Sequence, residues 1–284
     1  MSGEHMKGAI LNTPKIAFIG AGNMASSIIS GLLDSGHPAE RISAADPFSA
    51  SLERLRKLGP VAVYNDNAEA VATADVIVLA VKPQIIAEAA SSIAKTVDAN
   101  GPVVISIAAG VTITSMQAKL GPMAAIVRAM PNTPALLRCG ATGLFANAES
   151  TSQQRDSAQT ILEAVGMTFW VKAEQELDAV TALSGSGPAY FFLFMEAMVD
   201  AGEKLGLDRE DATNLALETS LGASRMAIEH QDVGLAELRR RVTSPGGTTE
   251  SAIASFEQDK LEDVVARAMI AAADRAAEIA REMG

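Results

Sequence analysis

Apolar and polar positions follow two different regimes along this chain. From residue 15 to about 172, short β-branched runs alternate with amphipathic stretches, and 16–19, 76–81, 103–107 and 125–127 are the clearest strand candidates. Alternation of this kind predicts a parallel sheet with helices on both faces. From about 176 onward the strand signal stops. Helical patterns then follow one another through short turns at Gly206-Leu207 and Pro245-Gly246-Gly247. The last of them sets Leu261, Val264, Val265, Ala268, Ala272, Ala276, Ile279 and Met283 at three- and four-residue steps, an apolar stripe rich in alanine that permits close helix approach. The run from Tyr190 to Met195, with Phe191, Phe192, Leu193 and Phe194 in succession, is apolar on every side, so a helix there must be buried all round. The helical half buries it alone, or an intertwined oligomer buries it together with the alanine stripe. The expected organisation is a flexible leader over 1–14, an α/β sheet domain over 15–174 and an all-helical domain over 175–284.

Composition narrows the function classes. Of 284 residues, 48% are hydrophobic and 20% charged, which is a globular composition with ample material for a core. A formal net charge of −11 argues against nucleic acid or an anionic membrane as the main partner. Arg239, Arg240 and Arg241 are the one basic run, and a solvated helix face explains them as well as a ligand does. Cys139 is the single cysteine, so no internal disulfide forms and a reducing, cytoplasmic setting is expected. No apolar stretch approaches the roughly 18 residues of a membrane span. No metal site is expected.

The first strand candidate runs directly into Gly20-Ala21-Gly22-Asn23-Met24-Ala25, where a helical pattern begins at once. In that context the three small residues match a dinucleotide fingerprint: Gly20 for a tight turn, Gly22 for close approach of a pyrophosphate, Ala25 for packing of helix on strand. Such a turn belongs to a Rossmann-like, doubly wound sheet. Asp46 follows the second strand at the separation where an acid accepts ribose hydroxyls, which taken alone favours NAD; a helix-capping turn explains Asp46-Pro47 equally well. Two further loops fall at carboxyl ends of strands, where an open sheet binds its ligand. They are Ala80-Val81-Lys82-Pro83-Gln84 and Arg128-Ala129-Met130-Pro131-Asn132-Thr133-Pro134, both stiffened by proline. Lys82 reads as a cofactor wall or as an idle surface lysine, and Asn132 and Thr133 lie where a nicotinamide amide would be met.

A second ligand-binding segment is Val-Thr-Ser-Pro-Gly-Gly-Thr-Thr-Glu at 242–250, just ahead of an apolar-periodic run. Ser244, Thr248 and Thr249 bring hydroxyls and Gly246 and Gly247 bare backbone to the start of a helix. The unpaired amides there and the helix dipole would hold a carboxylate without any lysine or arginine. An ordinary turn with a hydroxyl cap is the competing explanation.

Taken together, these segments resemble pyrroline-5-carboxylate reductases over nearly everything from Lys15 onward. The resemblance rests on Gly-Ala-Gly-Asn-Met-Ala at 20–25, Val-Lys-Pro-Gln at 81–84, Ser-Ile-Ala-Ala-Gly at 106–110, Met-Pro-Asn-Thr-Pro-Ala at 130–135, Ser-Gly-Ser-Gly-Pro-Ala-Tyr at 184–190 and Ser-Pro-Gly-Gly-Thr-Thr at 244–249. It implies a Rossmann domain joined to an all-α dimerisation domain, in homodimers that often build larger rings such as a decamer. It implies hydride transfer from NAD(P)H to the C=N bond of 1-pyrroline-5-carboxylate, giving L-proline, with the substrate site lying between the cofactor of one chain and the helices of the dimer. By the same carry-over the cofactor meets Gly20, Ala21, Gly22, Asn23, Met24, Ala25, Asn67, Ala80, Val81, Lys82, Pro83, Ile107, Ala108 and Ala109. The substrate carboxylate meets Ser244, Gly246, Gly247, Thr248 and Thr249, and the Thr249 hydroxyl is placed at the ring nitrogen. NADP(H) is the family default, with NAD(H) the alternative that Asp46 raises. Ser43 and Ser49 offer hydroxyls to a phosphate.

The chemistry agrees with what the chain lacks. Reducing a carbonyl needs a proton donor at oxygen, whereas a cyclic imine can arrive already protonated and accept hydride as an iminium. The three histidines, His5, His37 and His230, follow no strand. Catalysis by positioning suits that absence. Two alternatives stand beside this one. A β-hydroxyacid dehydrogenase would carry a lysine four residues after the last glycine of Gly185-Ser186-Gly187, where this chain has Phe191, and an asparagine where it has Phe194 and Met195. A non-catalytic dinucleotide-binding protein would have no reason to keep the 244–249 loop.

Overall fold

The computed structural model describes residues 13–283, so His5 and most of the expected leader lie outside the described residues. In chain order the elements are β1 (Ile16–Ile19), α1 (Asn23–Asp34), β2 (Ile42–Ala45), α2 (Ser49–Arg56), β3 (Ala62–Tyr64), α3 (Asn67–Val71), β4 (Val76–Leu79), α4 (Ile86–Asn100), β5 (Val103–Ser106), α5 (Ile113–Leu120), β6 (Ile126–Met130), β7 (Gly140–Ala146), α6 (Ser152–Glu163) and β8 (Gly166–Trp170). Helices only follow: α7 (Glu176–Val180), a π-helical turn at Thr181–Gly185, α8 (Gly187–Lys204), α9 (Arg209–Glu229), α10 (Leu235–Arg241), α11 (Thr248–Gln258) and α12 (Leu261–Met283).

The eight strands form one sheet in the order β3-β2-β1-β4-β5-β6-β7-β8. Neighbours are parallel except β6 and β7, which run antiparallel, a reversal that the alternating pattern did not predict. β1, β4 and β5 are buried at every position, as strands covered on both faces must be. Their side chains divide by period two into two cores. Ile16, Phe18, Val76, Val78, Val103 and Ile105 pack with Ile28 and Ile29 of α1 and Ile161 and Leu162 of α6. Ala17, Ile19, Ile77, Leu79 and Val104 pack with Ile86 and Ile93 of α4 and Met116 and Leu120 of α5. Strand order reverses between β1 and β4, and the crevice at the carboxyl ends of those two strands is where such a sheet takes its ligand.

The described residues form two compact units, 13–186 with 272–283 and 187–271. Within the second, α8 packs on α9, and Val199, Ala212 and Ala216 are its buried apolar core. Phe194 of α8 meets Phe256 of α11 with ring centroids 6.1 Å apart. The predicted all-round burial of the Tyr190–Met195 run is absent in one chain: Phe191, Phe192 and Leu193 are each about two-thirds exposed, at 66, 65 and 66%. Along α12, Leu261, Val264 and Val265 are also exposed, and Ala276 is buried.

Candidate active site

The glycine turn after β1 separates what the fold demands from what it does not. Gly20 has φ of +96°, and a Cβ there would lie 2.6 Å from the Ala80 carbonyl oxygen, so no other residue fits. Its amide donates to the Ala45 carbonyl at 2.8 Å, while Ala80 donates to Ile19 at 2.8 Å, which closes the turn over the ends of β1, β2 and β4. Gly22 is different. Its φ of −72° suits any residue, it is exposed, and a Cβ would meet nothing within 4 Å. Nothing inside the protein requires glycine at position 22, whereas a phosphate pressed against the backbone does. Gly22 also caps α1 without a side-chain bond, and the first turn of that helix carries no acid, so its free amides favour an anion. Ala25 is fully buried under the turn. These residues fit a dinucleotide pyrophosphate.

Asp46 is 9% exposed and holds the turn from the side. One carboxylate oxygen accepts from the Ala21 amide and the other from the Phe48 amide, each at 2.8 Å. The bond to Phe48 is the local turn expected of Asp-Pro; the bond to Ala21 reaches across 25 residues and had no sequence signal. Ser43 donates to the Ala70 carbonyl at 2.8 Å, which ties its hydroxyl to α3. Ser49 stands exposed at the start of α2.

The remaining expected cofactor residues lie on four segments of the same unit, after β3, β4, β5 and β6. Lys82 is exposed and precedes a 3-10 turn, Pro83–Ile85. After β5, Ile107 donates to the Leu79 carbonyl at 3.2 Å and Ala108 is buried, so this loop follows the β4 edge. Asn67 opens α3 and donates to the Ser92 hydroxyl at 3.0 Å. Asn132 is buried, with its amide nitrogen on the Ser184 carbonyl at 3.0 Å and its oxygen accepting from the Ala141 amide at 2.9 Å, so its side chain ties three segments together. A half-buried network centres on Arg128. Glu174 accepts from Arg128 at 2.7 Å and from the Ile113 amide, where α5 begins, at 2.8 Å. Burial lifts the neighbouring Asp178 carboxyl above its ordinary range, against the pull of Arg128. An arginine inside the apolar run Ile-Val-Arg-Ala-Met was the available hint.

The 244–249 segment forms a tight turn into α11 within the second unit. Gly246 has φ of +70°, Gly247 donates to the Ser244 carbonyl at 3.0 Å, and Gly247 caps α11 without a side-chain bond. Glu250 reaches back to accept from the Gly246 amide at 2.7 Å. Among the described residues the Thr248 and Thr249 amides find no acceptor, and Thr249 is half-buried. His37 and His230 stand in turns at helix ends, and burial lowers the His37 pKa.

Comparison with known proteins agrees with both halves. Residues 15–110 match the family described as NADP oxidoreductase, coenzyme F420-dependent, and residues 174–279 match pyrroline-5-carboxylate reductase dimerisation. A pyrroline-5-carboxylate reductase of Pseudomonas aeruginosa is 52% identical over 96% of this chain and all of its own length. A solved pyrroline-5-carboxylate reductase from Coxiella burnetii superposes with a TM-score of 0.91 at 44% identity, covering 94% of this chain and 99% of that one. A Plasmodium falciparum pyrroline carboxylate reductase solved with NADP bound gives 0.81 at 30% identity, covering 94 and 98%. With a dimerisation-domain match over 174–279 and 52% identity to a pyrroline-5-carboxylate reductase across nearly the whole of both chains, the chain belongs to the pyrroline-5-carboxylate reductase family.

Proposed function

We propose that this protein reduces the C=N bond of 1-pyrroline-5-carboxylate to L-proline with a nicotinamide dinucleotide, NADP(H) before NAD(H). The observation that carries the substrate assignment is the turn at 244–249. It opens α11 with two free amides and three hydroxyls, and no basic side chain takes part. A monocarboxylate is held there by the helix terminus and hydroxyls alone, which suits a small heterocyclic acid. Glu250 already occupies the Gly246 amide, so the substrate carboxylate is left with Thr248 N–H, Thr249 N–H and the hydroxyls of Ser244 and Thr248.

A bound reduced dinucleotide supplies the hydride. The protein has three tasks: Gly20–Ala25 seat the pyrophosphate, the 244–249 turn fixes the carboxylate, and the Thr249 hydroxyl orients the ring nitrogen. No histidine of the described residues follows a strand end, in keeping with an iminium whose nitrogen arrives protonated and needs no proton donor as hydride adds to carbon. The protein acts as a homodimer, built further into rings such as a decamer, and its lone exposed cysteine fits a reducing cytoplasm. Among the described residues no helix is long and apolar enough to cross a membrane.

The test is absorbance loss of NADPH and of NADH with pyrroline-5-carboxylate, against NADP with hydroxy acids. Thr249→Ala is expected to lower kcat/KM roughly 100-fold with an unchanged melting temperature, because loss of orientation alone has effects of that size. Near-normal kinetics in that variant would remove Thr249 from the mechanism, and turnover of hydroxy acids would move the protein to the dehydrogenase class.

A further inference from the structure

We propose that Phe48 is the aromatic wall against which the adenine of the cofactor stacks, and that Asp46 fixes it there. The inference rests on the reading of Gly20–Ala25 as a dinucleotide turn. With the pyrophosphate at the start of α1, a dinucleotide has two directions to extend. The loops after β4 and β5 lie to one side of β1 and receive the nicotinamide half, so the adenosine half runs toward β2 on the other side. The end of β2 is Asp46-Pro47-Phe48.

Three observations make Phe48 more than a stray surface aromatic, of which any protein has some. First, its position is tied to the glycine turn: a single buried carboxylate accepts from both the Phe48 and Ala21 amides at 2.8 Å. Second, its backbone is fixed again from the other side, because its carbonyl accepts from Ser51 at 3.0 Å as α2 begins. Third, Phe48 is 71% exposed, while Leu52 and Leu55 of the helix that follows it are buried in the core. The backbone is held rigidly and the side chain turns outward, an arrangement that gives the core nothing. A flat apolar group beside a dinucleotide turn has an obvious use in stacking on a purine, which asks for no hydrogen bonds and little lost side-chain freedom.

Titration of the full-length protein with NADPH, ADP-ribose and reduced nicotinamide mononucleotide separates the halves of the cofactor. Phe48→Ala is expected to weaken NADPH and ADP-ribose about tenfold, the scale of one lost base stack, and to leave the mononucleotide unmoved. The kinetic effect falls on the cofactor KM rather than on kcat. Phe48→Trp is expected to restore ADP-ribose binding, and Phe48→Leu, which keeps apolar bulk, is not. Unchanged ADP-ribose affinity in Phe48→Ala overturns the proposal, as does an equal loss for the mononucleotide or an effect confined to oligomeric state. If the unaltered protein binds neither NADPH nor ADP-ribose, the dinucleotide reading itself has failed, and that outcome is distinct from the others.

Discussion

Asp46 illustrates how far a single residue can be read from sequence. Its distance from the glycines suggested either a ribose partner or a helix-capping turn; the carboxylate instead takes the Phe48 amide ahead of α2, whose N-cap has no side-chain bond, and adds a contact that neither reading contained, the grip on Ala21. That grip joins positions 25 apart through the register of β1 and β2, which no local pattern encodes. The carboxylate retains lone pairs that would suit ribose hydroxyls, and with an adenosine ribose at the end of β2 its charge would oppose a 2′-phosphate. Asp46→Ser is therefore expected to do two things at once. It shifts the ratio of kcat/KM toward NADPH over NADH, and it destabilises the protein by about 1–3 kcal/mol by leaving two amides poorly satisfied. Asp46→Asn separates these effects, since its one carbonyl oxygen keeps one of the two amide bonds without the charge. Kinetics with both cofactors and thermal melts of both variants measure this, and an Asp46→Ser protein with unaltered preference would confine Asp46 to bracing the turn.

At the scale of elements, β1, β4, β5 and the start of β6 were legible because strands covered on both faces are nearly continuous apolar runs, and Arg128 cut the β6 signal after Val127. β7 was not, since Gly140-Ala-Thr-Gly-Leu-Phe-Ala carries two glycines that weaken any strand signal. The structure accounts for both: a Cβ at Gly140 would lie 2.8 Å from the Val165 carbonyl, and one at Gly143 would lie 2.8 Å from Val180. Glycines demanded by distant neighbours look, in sequence, like turn residues. Gly110 is of the same type. It ends the Ser106–Gly110 loop with φ of +75°, and a Cβ would run into the Ile279 side chain near the end of α12. The Met283 carbonyl also accepts from Ser115 of α5, at 3.4 Å. The last turns of α12 thus lean on the loop assigned to the cofactor. Gly110→Ala adds both a left-handed alanine and a clash, and is expected to lower stability by about 1–3 kcal/mol and raise the cofactor KM. Ile279→Ala in the same chain should recover part of the melting temperature by removing the clash. Absence of any recovery would assign the whole loss to backbone strain.

For the whole molecule, the central question is what covers the helical unit. Its own core is three small residues, Val199, Ala212 and Ala216, far too little for helices of this length, while Phe191, Phe192, Leu193, Leu215, Leu217 and Ile228 remain in solvent. Each large apolar side chain so exposed forgoes about 1.5–3 kcal/mol of burial. A stable protein does not leave that many uncovered, and the family match over 174–279 is to a dimerisation region, so a second copy is the natural cover. Phe191 is the sharpest probe, because it stands among the exposed residues of α8 and a glutamate there must be desolvated in any apolar interface. Phe191→Glu is expected to shift the protein toward monomer and raise the concentration at which it assembles by at least about 100-fold, since an unpaired buried charge opposes association by several kcal/mol. Sedimentation across a dilution series reads this directly. If the reaction site is completed by the partner, turnover per chain falls in step with the assembled fraction, in the variant and in the diluted parent alike. A Phe191→Glu protein that assembles as tightly as the parent would put α8 outside the interface, and full turnover from monomers would show that one chain carries the entire site.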